Sequence, residues 1–210
     1  MKDIITDELK ISGRAVEIDI KTENKEMRDI IKEIKDTMRK KNLKSLSAPA
    51  IGYNKRIFCI DFSDLEIKTF INPIIVEAKG ISLSKETCTS IPGKIFIRPR
   101  NNDLAVVYQS PTGKVESRQI VGMAAYVFQH EMDHLDGILL SDIGLEIDDD
   151  FEKASEEDRM EVINAYLDCL DLKQKEISTE IENDPELKQI SDASKFMESV
   201  YKGETELYRE

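Results

Sequence analysis

Residues 130–134 read His130-Glu131-Met132-Asp133-His134, and the rest of the chain is best read outward from them. On an α-helix, residues four apart face the same way, so the two imidazoles share one face. Side chains so placed can hold one divalent cation, and the Glu between them can reach a metal-bound water as general base. These are the only 2 histidines in the chain. Chance would give a spacing of four roughly once in a hundred, and the intervening Glu is rarer still. The competing reading is a pair of helix-surface histidines among helix-favouring neighbours. A helix is expected over 121–135, which holds no Gly or Pro after Gly122.

A catalytic cation wants three protein ligands and one open position. No third His exists, so the third ligand is Cys, Asp or Glu. Asp133 shares the helical turn but points away from the histidine face. Glu146 and the acids beyond it are available but undistinguished. Of the 3 cysteines, Cys59 lies in an apolar strand-like run and Cys169 beside a helical apolar stripe, both packing positions. Cys88 lies in the polar, turn-like segment 85–93 and is the favoured third ligand. An odd cysteine count argues against a disulfide framework.

N-terminal to this region, Met27, Ile30, Ile31, Ile34 and Met38 recur at helical offsets, which predicts an amphipathic helix over 23–41. From Ser47 to Gln119 the texture changes to short runs rich in β-branched and aromatic residues, at 56–61, 68–73 and 104–108. Turn residues separate them: Asn54, Asn72-Pro73, Pro92-Gly93, Asn101-Asn102 and Pro111-Thr112-Gly113. Beyond the central helix the chain is helical again from Ser155, capped by the Ser155/Asp158 pair, with Met160, Ile163, Tyr166, Leu167 and Leu170 as one stripe. Asn183-Asp184-Pro185 predicts a further start, followed by Leu187, Ile190, Phe196, Met197 and Val200, with Gly203 as the stop. The expected fold is α+β: short, mostly antiparallel strands around a central metal-binding helix, with an N-terminal helix. The expected organisation is a catalytic domain over 1–145 and an acidic helical extension over 146–210.

Charge excludes several functions. The net charge is −12, and residues 146–210 carry 8 Lys/Arg against 21 Asp/Glu. Counterion release on nucleic acid needs a basic face, and anionic membrane would repel this chain, so neither is an expected partner. No apolar run reaches 18 residues and the N-terminus has no apolar signal core, so a cytoplasmic protein is expected. With hydrophobic residues at 40%, the chain can still bury a core.

The segment Gln129 to Gly137 resembles the third signature of peptide deformylases, Gln-His-Glu-x-Asp-His-Leu-x-Gly. Glu86-Thr87-Cys88-Thr89-Ser90-Ile91-Pro92-Gly93 resembles the second, Glu-Gly-Cys-Leu-Ser-x-Pro-Gly. Leu46-Ser47-Ala48-Pro49-Ala50-Ile51-Gly52 resembles the first, Gly-apolar-Gly-apolar-Ala-Ala-x-Gln-apolar-Gly. Arg98, Gly122 and Ala125 also fit, and the resemblance covers roughly residues 23–145.

The resemblance implies removal of the N-formyl group from formylmethionine on nascent chains, a step of protein biosynthesis. It implies one divalent ion, Fe²⁺ in cells and Zn²⁺ or Ni²⁺ as replacements, held by Cys88, His130 and His134. Glu131 would take a proton from the metal-bound water and pass it to the leaving amine. The Thr89 backbone N–H would donate to the developing oxyanion. Ser45, Ala50, Met123, Tyr126 and Val127 fall at substrate-binding positions. Ser90, Arg98 and Gln129 are expected to make structural hydrogen bonds.

This chain departs from the pattern at several places. Ala50 replaces a Gln that donates at the reacting centre, and losing one such donor typically costs about 10²–10³ in rate. Leu43 and Ser45 replace glycines. Thr87 replaces a Gly, where a β-branched residue resists positive φ. Thr89 replaces Leu, and Tyr126 is bulkier than usual. The expected function is therefore deformylation with altered rate or specificity. The alternatives are hydrolysis of another small formyl or acyl amide, or a catalytically weak deformylase-like binding module.

Overall fold

The computed structural model describes residues 2–62 and 67–183. The chain divides into two compact units, Met1–Ile147 and Asp148–Glu210. The first unit is α+β. Its elements in order are α1 (Glu8–Ile11), α2 (Asn24–Lys41), β1 (Ser45–Ser47), a 3₁₀ turn (Pro49–Ile51), β2 (Ile57–Asp61), β3 (Ile67–Cys88), β4 (Ile91–Gln109), β5 (Val115–Val121), α3 (Met123–Asp136), α4 (Leu140–Ile143) and β6 (Leu145–Ile147). The strands form one antiparallel sheet in the order β1-β2-β3-β4-β5, with β6 paired to β4.

The helical periodicity at 23–41 becomes α2, which buries Met27, Ile30, Ile31, Ile34 and Met38 against Leu46, Ile51, Ile57 and Ile71. Asn42 in the left-handed region ends it, as an αL cap does.

Several expected turns lie inside strands. Asn72-Pro73 falls within β3, where the pairing slips between Ile71 and Ile74. The bulge takes up the break: Asn72 adopts φ 46° and its side chain bonds both the N–H and the C=O of Ile18. Asn101-Asn102 and Pro92-Gly93 fall within β4, and the sharp reversal is Thr89-Ser90 instead. Local turn propensity yields here because a long hairpin supplies backbone partners to most of its length. The Pro111-Thr112-Gly113 turn forms as expected, with the Ser110 N–H donating to the Lys114 carbonyl at 2.9 Å.

α3 is pressed onto the sheet by Phe128, whose ring meets Phe58 and Phe70 edge-on at 5.0 and 5.2 Å. Ala125 and Leu135 bury on the same side. The far end of α3 is clamped too. Leu135 C=O accepts from Ala15 N–H at 2.8 Å and from Arg56 at 3.2 Å. Gly137 closes the helix at φ +74°, and a Cβ there would sit 2.3 Å from the Ser12 carbonyl oxygen.

In the second unit, α5 (Asp149–Lys153) is capped by Asp148, which accepts from the N–H groups of Asp150 and Phe151. α6 spans Glu156–Asn183. The expected Ser155 cap is present, accepting from Asp158 N–H at 3.1 Å. Ile163 is buried and Tyr166, Leu167 and Leu170 are half-buried, but Met160 is exposed, lying one turn before that face begins. Cys169 is exposed and does not pack, contrary to its expected role, because it falls beside the stripe and not on it. The helix start expected at Asp184-Pro185, with its apolar positions and stop, lies outside the described residues. Among the described residues, no helix is long and apolar enough to cross a membrane.

Candidate metal centre

β3 and α3 build the site by matching their rises. Alternate residues of a strand share a face and advance about 6.6 Å per pair, while four residues of helix advance about 6.0 Å. Two inward positions of β3 therefore meet two successive turns of α3. Cys88 Sγ lies 3.3 Å from His134 Nε2. One step back, Glu86 Oε2 accepts from His130 Nδ1 at 2.9 Å. The ligand-type atoms of Cys88, His130 and His134 all lie within 4.8 Å of one another. A tetrahedral ion with bonds of about 2.0–2.3 Å spaces its S and N donors by roughly 3.3–3.8 Å; the Cys88–His134 pair has that spacing, and one sulfur and two imidazoles within 4.8 Å would close on a single cation.

Electrostatics sort the two imidazoles. Burial works against charge on His130, but Cys88, Glu86 and Glu131 outweigh it and push its pKa up to about 10 in the metal-free chain. His134 is held neutral, near 3, by burial and by the neighbouring His130 and Arg100 charges, and its buried Nδ1 has no partner. Burial likewise opposes charge on Glu86, yet Arg100 and His130 hold its carboxyl down at about 2. Arg100 grips Glu86 through two bonds of 2.7 and 2.9 Å. It also donates to Asp133 at 2.6 Å, and Arg98 donates to the same oxygen. Asp133 thus points away from the histidine face, as the sequence implied.

Glu131 is 4% exposed. Burial raises its pKa above the usual carboxylate range, against the lowering effects of His130, Ser45 and Ser47. Its Oε2 has no partner. A buried carboxyl with a free oxygen, beside a ligand cluster, is poised to take and return a proton.

A cleft of about 270 Å³ opens onto this cluster. Glu131, His130 and His134 line it, and so do all five residues expected at substrate positions: Ser45, Ala50, Met123, Tyr126 and Val127. Met123 sits on the rim, 70% exposed. Thr89 also lines the cleft, and among the described residues no backbone acceptor takes its N–H.

A family model described as polypeptide deformylase matches residues 1–148. The chain belongs to the polypeptide deformylase family. A peptide deformylase of Dictyoglomus turgidum is 36% identical over 139 residues, covering 66% of this chain and 87% of that protein. One from Dictyoglomus thermophilum is 34% identical over 123 residues, covering 59% and 80%. Among solved structures, a Synechococcus elongatus peptide deformylase in complex with actinonin is similar at 30% identity and a TM-score of 0.60, covering 66% of this chain and 75% of that one. The Thermotoga maritima peptide deformylase is similar at 29% and 0.59, covering 68% and 96%. This chain is thus an enzyme of the peptide deformylase kind, with the antiparallel α+β architecture of that family.

The chain carries its departures from the family pattern without backbone strain. Thr87, at a family Gly, is an exposed strand residue, and the positive-φ non-Gly residues are Asn42 and Asn72 alone among those described. The pairing slips between Glu86 and Cys88 instead. Ala50 is buried in the 3₁₀ turn, its carbonyl bonded to Ile5 N–H at 2.9 Å, and brings no side-chain donor to the cleft. Gln129 makes the expected structural bonds, to the backbone of Asn101 and Ala125. Arg98 does so through Asp133. Ser90 does not: its hydroxyl is buried without a partner. Arg100, the role of Glu86 and Ser47 do not stand out in the sequence. A signal for the first existed, since Arg98 and Arg100 alternate on one strand face and buried cations demand acids opposite.

Proposed function

We propose that this chain hydrolyses the N-formyl group of formylated peptides, formylmethionine peptides among them, in a metal-dependent reaction. The observation that carries this reading is the convergence of Cys88, His130, His134 and Glu131 on one cleft. Cys88, His130 and His134 would hold one divalent ion, Fe²⁺ by the family resemblance, with Zn²⁺ or Ni²⁺ able to replace it. When bound, that ion supplies Lewis acidity toward the formyl oxygen and toward water.

The chain's own residues do the rest. Glu131 takes a proton from the attacking water as the C–O bond forms, then delivers it to the amide nitrogen as the C–N bond breaks, leaving formate and a free amine. The Thr89 N–H donates to the oxygen that gains charge in between. Glu86, fixed by Arg100, fixes the orientation of His130 through Nδ1. Ser45, Ala50, Met123, Tyr126 and Val127 hold the peptide. The catalytic domain would run to Ile147, two residues past the expected boundary at 145, because β6 pairs with β4; the acidic extension follows it, and the setting would be cytoplasmic.

The test is turnover of formyl-Met-Ala-Ser by anaerobically prepared, iron- or nickel-loaded protein, with Glu131→Ala alongside. Turnover is expected in the wild type and a drop of about 10³-fold or more in the variant. No turnover despite one bound metal per chain overturns the proposal.

A further inference from the structure

Beyond the two contacts between β3 and α3 that build the metal centre, a third position of β3 lines the same cleft. Cys88 meets His134 and Glu86 meets His130. Two residues back on the same face of β3 stands Ser84, and one turn back on α3 stand Tyr126 and Val127. All three line the cleft. Ser84 is 4% exposed, yet among the described residues its hydroxyl makes no hydrogen bond.

Its neighbours are already engaged. The Tyr126 hydroxyl bonds Asn102 Oδ1. Both carboxylate oxygens of Glu86 are taken by Arg100 and His130. A hydroxyl that no protein group engages, on a buried residue in a cleft wall, is a donor and acceptor open to what enters that cleft.

We propose that Ser84 is a specificity residue: its hydroxyl reads the side chain of the substrate residue that bears the formyl group, and favours one that ends in a hydrogen-bonding group. The proposal rests on the deformylase reading above and deepens it. Ser84 lies one strand step from the Glu86–His130 contact, about 7 Å, the reach of an unbranched side chain of three or four atoms. Val127 and Met123 wall the path with apolar surface. The favoured side chain therefore has an apolar stem and a polar end. A primary amide fits best, a thioether is a weak acceptor and fits less well, and an alkyl chain of equal length leaves the hydroxyl unpaired.

The experiment uses the full-length, metal-loaded protein and three peptides that differ only in the first residue: formyl-Gln-Ala-Ser, formyl-Met-Ala-Ser and formyl-norleucine-Ala-Ser. kcat/KM is expected to rank glutamine above methionine above norleucine, with about tenfold between the ends. Ser84→Ala should collapse that ratio toward one, and Ser84→Thr, which keeps the hydroxyl, should preserve it. Calorimetric affinities of the deformylated product peptides should rank the same way and lose their spread in Ser84→Ala. A wild type that favours norleucine, or a ratio that Ser84→Ala leaves unchanged, overturns this inference while deformylation stands. No turnover of any of the three peptides overturns the deformylase reading, and this inference with it.

Discussion

Position 50 sets the rate problem at the scale of single residues. Ala50 lines the cleft without a donor, so in the proposed mechanism the Thr89 N–H would face the developing oxyanion without side-chain help from position 50. Ala50→Gln is expected to raise kcat by about tenfold or more, with little change in KM, because the new donor engages charge that exists only in the transition state. Steady-state kinetics on formyl-Met-Ala-Ser check this, and an unchanged kcat would show that another group already fills the role. His130 makes a second prediction. Its pKa in the metal-free chain is raised from 6.5 to about 10, so at pH 7 it carries a proton that a cation must displace. The sign follows: the stabilisation of protonated His130 is complete below pH 6.5 and is lost as pH rises through about 10. Metal affinity should therefore climb with pH from near neutrality toward pH 10, and loading at pH 7 should release a proton. Calorimetry in buffers of different ionisation enthalpy counts it.

At the scale of elements, the site is two contacts between β3 and α3, and Arg100 from β4 locks the Glu86–His130 one. Removing one member strands the others in a buried setting. Glu86→Gln is expected to cost about 3 kcal/mol at pH 7, read from urea unfolding of the metal-free protein. Its pH dependence has a definite sign. The Glu86 carboxyl is lowered from 4.5 to about 2, so its contribution is complete above pH 4.5 and is lost as pH falls toward 2. The gap between wild type and variant should close over that window. The end of α3 carries a second prediction. Gly137→Ala forces a Cβ against the Ser12 carbonyl at a positive φ, so a loss of about 2 kcal/mol or more is expected, visible as a lowered Tm.

Across the whole molecule, charge and chemistry part company. Residues 146–210 hold the acidic surplus, whereas every residue of the proposed site lies within Met1–Ile147. A chain ending after Ile147 is expected to bind one metal and to keep kcat/KM within about twofold, while losing solubility near neutral pH. Metal analysis and the same peptide assay decide it.

The histidine pair and the Glu between them were legible as candidates before any folding, whereas Cys88 entered as the favoured third ligand from its polar segment. His130, Glu131 and His134 are neighbours on one helix, and helical periodicity alone sets their geometry. The long helix α2 was legible for the same reason, as was the hairpin at 110–114, where Gly113 serves the turn. Strand lengths were not. Asn72-Pro73 reads as a stop, but a bulge anchored on Ile18, far away in the chain, carries β3 through it. Nor could the sequence tell that Ser84 stands in the cleft or that Arg100 braces His130 through Glu86. Those facts depend on which strand residue falls opposite which helical turn, and register is fixed by long-range pairing and packing. Local periodicity put His130, Glu131 and His134 on one helix, while the meeting of β3 with α3 brought Cys88 and Glu86 to the two histidines and left the Ser84 hydroxyl in the cleft wall, because register is fixed by long-range pairing.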